Sequence, residues 1–66
     1  MREIENTNEI DERVLAAIRQ GSQTAFAIEV MCGFEDHQIY RGLRRLKRRG
    51  LIRYNGPERR WELVPT

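Results

Sequence analysis

Apolar residues recur along this chain at three- and four-residue steps in three separate stretches, then switch to a two-residue alternation near its end. Ile10, Val14, Ala17 and Ile18, with Leu15 beside them, predict a first helix from about Glu9 to Gln20. Asn8 stands where a cap is expected, Asp11 and Glu12 suit the positive N-terminal end, and Gly21 fits just past the C-terminus. Ser22 and Gln23 lead to Thr24, a cap for a second short helix through about Cys32, with Ala25, Ile28, Met31 and Cys32 as its apolar residues. Gly33 ends it. A third helix is expected to begin near Glu35 or Asp36 and run to about Arg49, where Gly50 stops it, with Ile39, Leu43 and Leu46 as its buried stripe. Leu51 to Tyr54 reads as a short strand, Asn55-Gly56-Pro57-Glu58 as a turn, and Arg60 to Val64 as a return strand closed by Pro65. Residues 1–8 are polar and unpatterned and are expected to form a flexible arm, leaving 9–66 as one folded unit.

So short a connection as Gly33-Phe34-Glu35 forces the second and third helices to cross steeply, as in a helix-turn-helix, rather than lie side by side. The expected class is α+β, three helices followed by a two-stranded β-hairpin. With 66 residues there is one domain and a small core, because a chain this short buries only about 60% of its unfolded surface. Little room remains for an enclosed active site. A catalytic role is not expected: His37 is the sole histidine and has no evident nucleophile or carboxylate partner, and there is no Gly-rich phosphate loop.

The net charge of +2 conceals a strong asymmetry. Residues 1–36 hold three arginines against eight acids, a net of −5, whereas residues 37–66 hold nine Lys/Arg against two acids, a net of +7. One face is expected to attract a polyanion and another not. Cys32 is the single cysteine, so no internal disulfide forms, and a structural zinc site lacks ligands. No metal and no cofactor are expected. No apolar run approaches the roughly 20 residues needed to cross a bilayer, and the acidic start Met1-Arg2-Glu3-Ile4-Glu5 lacks the pattern of a signal peptide. The expectation is a soluble, cytoplasmic chain without a membrane partner.

Six of the nine residues from Arg41 to Arg49 are basic, yet Leu43 and Leu46 interrupt them at helical spacing. A solvated tail needs no buried stripe, so the pattern describes a folded module holding out a cationic helix. At about 100° per residue, centring Ile39 on the buried side sends His37, Arg41, Arg44 and Arg48 to the far side and leaves Gln38, Tyr40 and Arg45 on the flanks. Arg can donate two hydrogen bonds to guanine and Gln can pair with adenine in the major groove. His37, Gln38, Tyr40, Arg41 and Arg44 are therefore the base-reading candidates, the N-terminal part of the helix entering the groove first. Arg45, Arg48 and Arg49 are candidates for the sugar-phosphate backbone. Arg59 and Arg60 sit at the hairpin tip or shoulder, placed for a phosphate or the minor groove. Asp36 would repel phosphate and is assigned to stabilising the helix start or to a water-mediated contact. Trp61 is expected to pack on the core rather than serve as a stacking platform, Cys32 to fill a small core slot, and Gly42 to let another helix approach closely.

With Ile28, Cys32, Gly33, Phe34, Ile39, Leu43, Leu46, Gly50, Leu51, Ile52 and Trp61 in this order, the chain resembles the winged helix-turn-helix DNA-binding domains of bacterial, archaeal and phage transcription regulators. The resemblance runs from about Val14 to Val64 and is most specific from Gly33-Phe34 to Gly50-Leu51-Ile52. It implies a recognition segment from Asp36 to Arg45 and a wing from Asn55 to Arg60. One departure is Glu29, where that family often has a small residue; it implies a shifted crossing or a solvent-facing position, with Ala25 or Ala27 in the packing role. The hairpin-end Trp also resembles that of the Z-DNA-binding winged-helix domains, but the Asn and Tyr on which those depend are replaced here by Tyr40 and Arg44. The small winged-helix proteins of ferrous-iron transport are similar in size but carry a cysteine cluster in the wing that this chain lacks.

The function implied is sequence-specific double-stranded DNA binding by a small transcription regulator of phage or prokaryotic type. A homodimer or cooperative binding on DNA is expected, with Ile4, Ile10 and Val14 as the only apolar candidates for contact. The alternative is a winged-helix protein-interaction module whose basic face binds an acidic partner.

Overall fold

The computed structural model describes residues 7–65. Three helices, α1 (Thr7–Arg19), α2 (Ala25–Cys32) and α3 (Asp36–Arg48), are followed by strands β1 (Ile52–Asn55) and β2 (Arg60–Leu63), giving the expected α+β order. Most of the expected arm lies outside the described residues, but Thr7 and Asn8 are already helical, so α1 includes the two residues before the expected Glu9 and Asn8 is not its cap.

Local chemistry accounts for the ends of α2 and α3. The Ala27 N–H donates to Thr24 Oγ1 at 3.1 Å, which caps α2. Gly33 closes α2 in the left-handed region with φ 78°, where a side chain would be strained, and its N–H donates to the Glu29 carbonyl at 2.7 Å. Glu35 precedes α3 with extended backbone, and its N–H donates to Gln38 Oε1 at 2.9 Å, half of a capping box. Gly50, also at φ 78°, turns the chain from α3 into the hairpin.

The core is aliphatic. Ile10, Val14, Ala17 and Ile18 of α1, Ile28 of α2, Ile39, Leu43 and Leu46 of α3, and Ile52 of β1 form one buried cluster, with Leu15, Cys32, Phe34, Leu51 and Trp61 packed at its edge. α1 packs closely on α3 at Gly42, where a Cβ would lie 3.2 Å from Asp11 Oδ1 and 3.3 Å from Ile10 Cγ2. The small residue is what admits α1, as expected. α2 contributes less than its composition implied: Ile28 is its only buried residue, while Met31 is 51% exposed and Phe26 and Val30 more so. An eight-residue helix in a three-helix layer has one inward side, and Phe26, Val30 and Met31 face outward.

The hairpin is antiparallel, with Ile52 opposite Leu63, Arg53 opposite Glu62, Tyr54 opposite Trp61 and Asn55 opposite Arg60. Alternation puts Ile52, Tyr54, Trp61 and Leu63 on one face and Arg53, Asn55, Arg60 and Glu62 on the other. A reciprocal pair ties β2 to the connection before α2: the Trp61 N–H donates to the Gln23 carbonyl at 2.7 Å, and Gln23 Nε2 donates to the Trp61 carbonyl at 2.9 Å. This fixes the hairpin beside the N-terminus of α2. Among the described residues no helix is long and apolar enough to cross a membrane.

Candidate functional site

The apolar stripe of α3 faces the core, so its opposite side is solvent-exposed over its whole length. His37, Arg41, Arg44 and Arg48 fall within about 60° of one another on that side at 100° per residue, and all four are exposed. Tyr40 and Lys47 turn toward the hairpin, whereas Gly42 and Arg45 turn toward α1. Arg49 follows the helix and is exposed as well.

The arginines fall into two populations. Arg45 departs from the expectation of a backbone-binding cation, because its guanidinium is committed to Asp11. Nε donates to both carboxylate oxygens at 3.1 Å, and Nη2 donates to Oδ1 at 2.9 Å. Asp11 is only 5% exposed and sits within the apolar stripe of α1, so the pair belongs to the fold. Arg60 is partly diverted in the same way: its Nε donates to Glu62 Oε2 at 3.1 Å, while Arg53 Nε reaches Glu62 Oε1 at 3.3 Å. Asn55 Nδ2 donates to the same Oε2 at 3.0 Å. These donors, Asn55 first, then Arg60 and Arg53, hold the Glu62 carboxyl below its ordinary value against the opposing effect of burial.

By contrast, no acid among the described residues pairs with Arg41, Arg44, Lys47, Arg48, Arg49 or Arg59. Five of these lie on or just after α3, and Arg59 lies at the hairpin tip with φ 56°, held by its N–H donating to the Gly56 carbonyl at 3.1 Å. The tip is shaped by Asn55, whose Oδ1 accepts from the Glu58 N–H at 3.1 Å. Arg41, Arg44, Lys47 and Arg48 on the outer and hairpin-facing sides of α3, with Arg59 at the hairpin tip, create a field suited to a polyanion, while Arg49 borders α1 beside Asp11 and Glu12.

The N-terminal end of α3 has the opposite character. His37 Nδ1 lies 3.5 Å from Glu35 Oε1, so the imidazole is beside a carboxylate rather than open on every side. Gln38 uses its Oε1 in the capping box, the acceptor that bidentate pairing with adenine would require. Asp36 stands in the first turn with its carboxyl beside that of Glu29 from α2, and the hydrogen bond the two share when Glu29 is protonated raises the Glu29 carboxyl above its ordinary value, with burial and the charge of Asp36 adding to the effect. Glu29 is thus a half-buried partner of α3, not a solvent-facing substitute for a small residue.

Trp61 sits between the two roles weighed for it. It is half-buried and packs on the core edge, yet its ring also meets Tyr54 at 5.0 Å with planes tilted by 59°. It lines a groove together with Tyr40 of α3. Sequence reasoning missed that groove because Tyr40, Tyr54 and Trp61 come together only once the hairpin register and its tie to Gln23 are known. Cys32 fills a half-buried slot, its Sγ donating to the Arg13 carbonyl at 3.4 Å, and burial pushes the thiol above its ordinary value, with Arg13 opposing. Ile10 and Val14, two of the expected dimer contacts, are 3% and 0% exposed and are consumed by the core; Ile4 lies outside the described residues.

No family model matches the chain, and neither a curated protein nor a solved structure matches it.

Proposed function

We propose that this chain is a small winged helix-turn-helix protein that binds double-stranded DNA in a sequence-specific manner and regulates transcription. α3 enters the major groove, Arg41 and Arg44 read base edges, and Arg48, Arg49 and Lys47 neutralise phosphates. The hairpin acts as the wing, with Arg59 leading on the backbone or in the minor groove and Arg60 shared with Glu62. The observation that carries this reading is the set of six cations on α3 and the hairpin tip with no acidic partner among the described residues, next to arginines that are paired.

Duplex titrations at several salt concentrations test it. About five phosphate contacts give a slope of log K against log salt of roughly −4 to −5. Absence of salt-dependent binding even near about 50 mM salt overturns the reading. Two copies on adjacent half-sites would raise affinity, and sedimentation with and without DNA reports that directly.

The second reading is a protein-interaction module binding an acidic partner, and the outward apolar residues Phe26, Val30 and Met31 of α2 favour a protein contact. An amide-shift map separates the two. Duplex DNA moves residues 36–48 and 55–60 in the first reading and changes them little in the second.

A further inference from the structure

The aromatic side chains of this chain lie outside its aliphatic core. Three of the five, Tyr40, Tyr54 and Trp61, converge on a groove of about 390 Å³ between α3 and the hairpin. Tyr40 is 54% and Tyr54 49% exposed, so a substantial aromatic surface is offered to solvent. The remaining wall carries Lys47 and Arg59 together with Thr24 and Ala25 at the start of α2. A smaller hollow of about 190 Å³ adjoins it, sharing Tyr40, Lys47 and Trp61 and adding Arg44. Neither hollow is lined by a carboxylate.

Flat apolar rings ringed by unpaired cations match a ligand that carries an aromatic face and a negative charge on the same unit, which describes a nucleotide. An intact duplex does not supply it, because its base faces are covered by their stacked neighbours and only edges are open. A proline-rich peptide would use the rings but leaves three cations without a counter-charge. The volume is that of a small-ligand site rather than of a packing defect. We propose that this groove binds an unpaired nucleotide of single-stranded DNA, with the base against Tyr40 and Trp61 and the flanking phosphates on Lys47, Arg59 and Arg44. This goes beyond the duplex reading and does not rest on it.

Trp61 is the chain's only tryptophan, so tryptophan emission reports on the one residue that joins the groove wall to the core edge. The full chain is titrated with a labelled oligothymidylate of about eight nucleotides, following label anisotropy and tryptophan emission together. Binding quenches Trp61, and an abasic strand of equal length binds more weakly and leaves the emission unchanged. Tyr40→Ala weakens the thymidine strand about 5- to 100-fold, whereas Tyr40→Phe, which keeps the ring, stays within about twofold. Tyr54→Ala serves the same purpose if thermal melting shows the Tyr40→Ala chain to be unfolded. Equal affinity for the abasic strand, indifference to loss of both tyrosine rings, or no binding at all overturns the proposal. So does Trp61 quenching by a blunt duplex as strong as that by the single strand, tighter binding of an oligouridylate, or quenching by a proline-rich peptide without binding of the oligonucleotide. Duplex affinity and its salt slope are measured separately with blunt duplexes, so either reading can fail while the other stands.

Discussion

The contact between Asp11 and Arg45 makes an asymmetric prediction about stability. Arg45→Ala leaves the Asp11 carboxylate, 5% exposed, beside Ile10 and Val14 with both of its guanidinium N–H donors gone. Breaking a buried pair in this way costs about 3–5 kcal/mol, and the partial exposure of Arg45 places this case near 3 kcal/mol. Asp11→Ala is different, because the stranded group is a guanidinium that is already 30% exposed and can turn to water. That variant costs about 1 kcal/mol. A domain of 66 residues has roughly 3–10 kcal/mol of stability in all, so Arg45→Ala brings it close to the edge of folding while Asp11→Ala does not. Urea unfolding followed by circular dichroism reads both, with an unchanged m-value confirming that the two-state comparison holds. Asp11→Leu combined with Arg45→Met removes both charges and recovers most of the loss. Equal costs for the two single variants, or a double variant as unstable as Arg45→Ala, refute the assignment of a buried carboxylate held by its partner.

Three further outcomes follow from the site. Arg41→Ala costs about 1–3 kcal/mol at one base pair and relaxes sequence preference, whereas Arg59→Ala weakens all duplexes alike; competition binding against a randomised pool distinguishes these from a sequence-blind loss in both. Glu29, whose carboxyl is raised by its hydrogen bond to Asp36, favours the folded state most fully below its ordinary value of 4.5 and loses that contribution as pH rises through the raised value. Glu29→Gln therefore increases the melting temperature at pH 7, and an unchanged or lower value counts against the contact. Glu62 has the opposite sign: its lowered carboxyl stabilises the hairpin above 4.5, and that contribution disappears as pH falls through the lowered value. Glu62→Gln flattens this acid-side loss in thermal melts and, by releasing Arg53 and Arg60, steepens the salt slope of duplex binding by about one phosphate.

The element pattern was legible because local chemistry specified it. Thr24 as a cap, Gly33 and Gly50 as stops, and the stripe Ile39, Leu43 and Leu46 all act within a few residues, and each lies where the periodicity placed it. Asp11 shows what a local reading misses. As a local charge it suits a helix start, yet it shares the buried side of α1 with Ile10, Val14 and Ile18, and a carboxylate in such a stripe signals a partner elsewhere. Gln38 was similar, since Glu35 and Gln38 have capping-box spacing that could have flagged its commitment. Other features depended on register. Glu62 joins Arg53, Asn55 and Arg60 only because Arg53 lies opposite it and Asn55 opposite Arg60. The exposed side of α2 was hidden by its composition, because a short helix apolar on every side reads as buried until its neighbours are known.

The charge along α3 bears on how the helix would lie against DNA. Its first turn carries Asp36, preceded by Glu35 and facing Glu29, whereas its unpaired cations begin at Arg41 and continue to Arg49. An entry led by the N-terminus brings three carboxylates toward phosphate while Gln38 is held in the capping box, and each step closer increases the repulsion. Seating the middle of the helix in the groove instead puts Arg41 and Arg44 at the bases, Arg48 and Arg49 on one strand, and the acidic end over open groove away from the backbone. Arg59 at the hairpin tip adds a phosphate contact without requiring the acidic end to approach. In the duplex reading, base discrimination therefore centres on Arg41 and Arg44, with His37 and Gln38 contributing little. Substituting Gln38 by Glu, which keeps a capping-box acceptor, tests this: sequence preference stays the same if the helix lies by its middle and changes if its N-terminus leads.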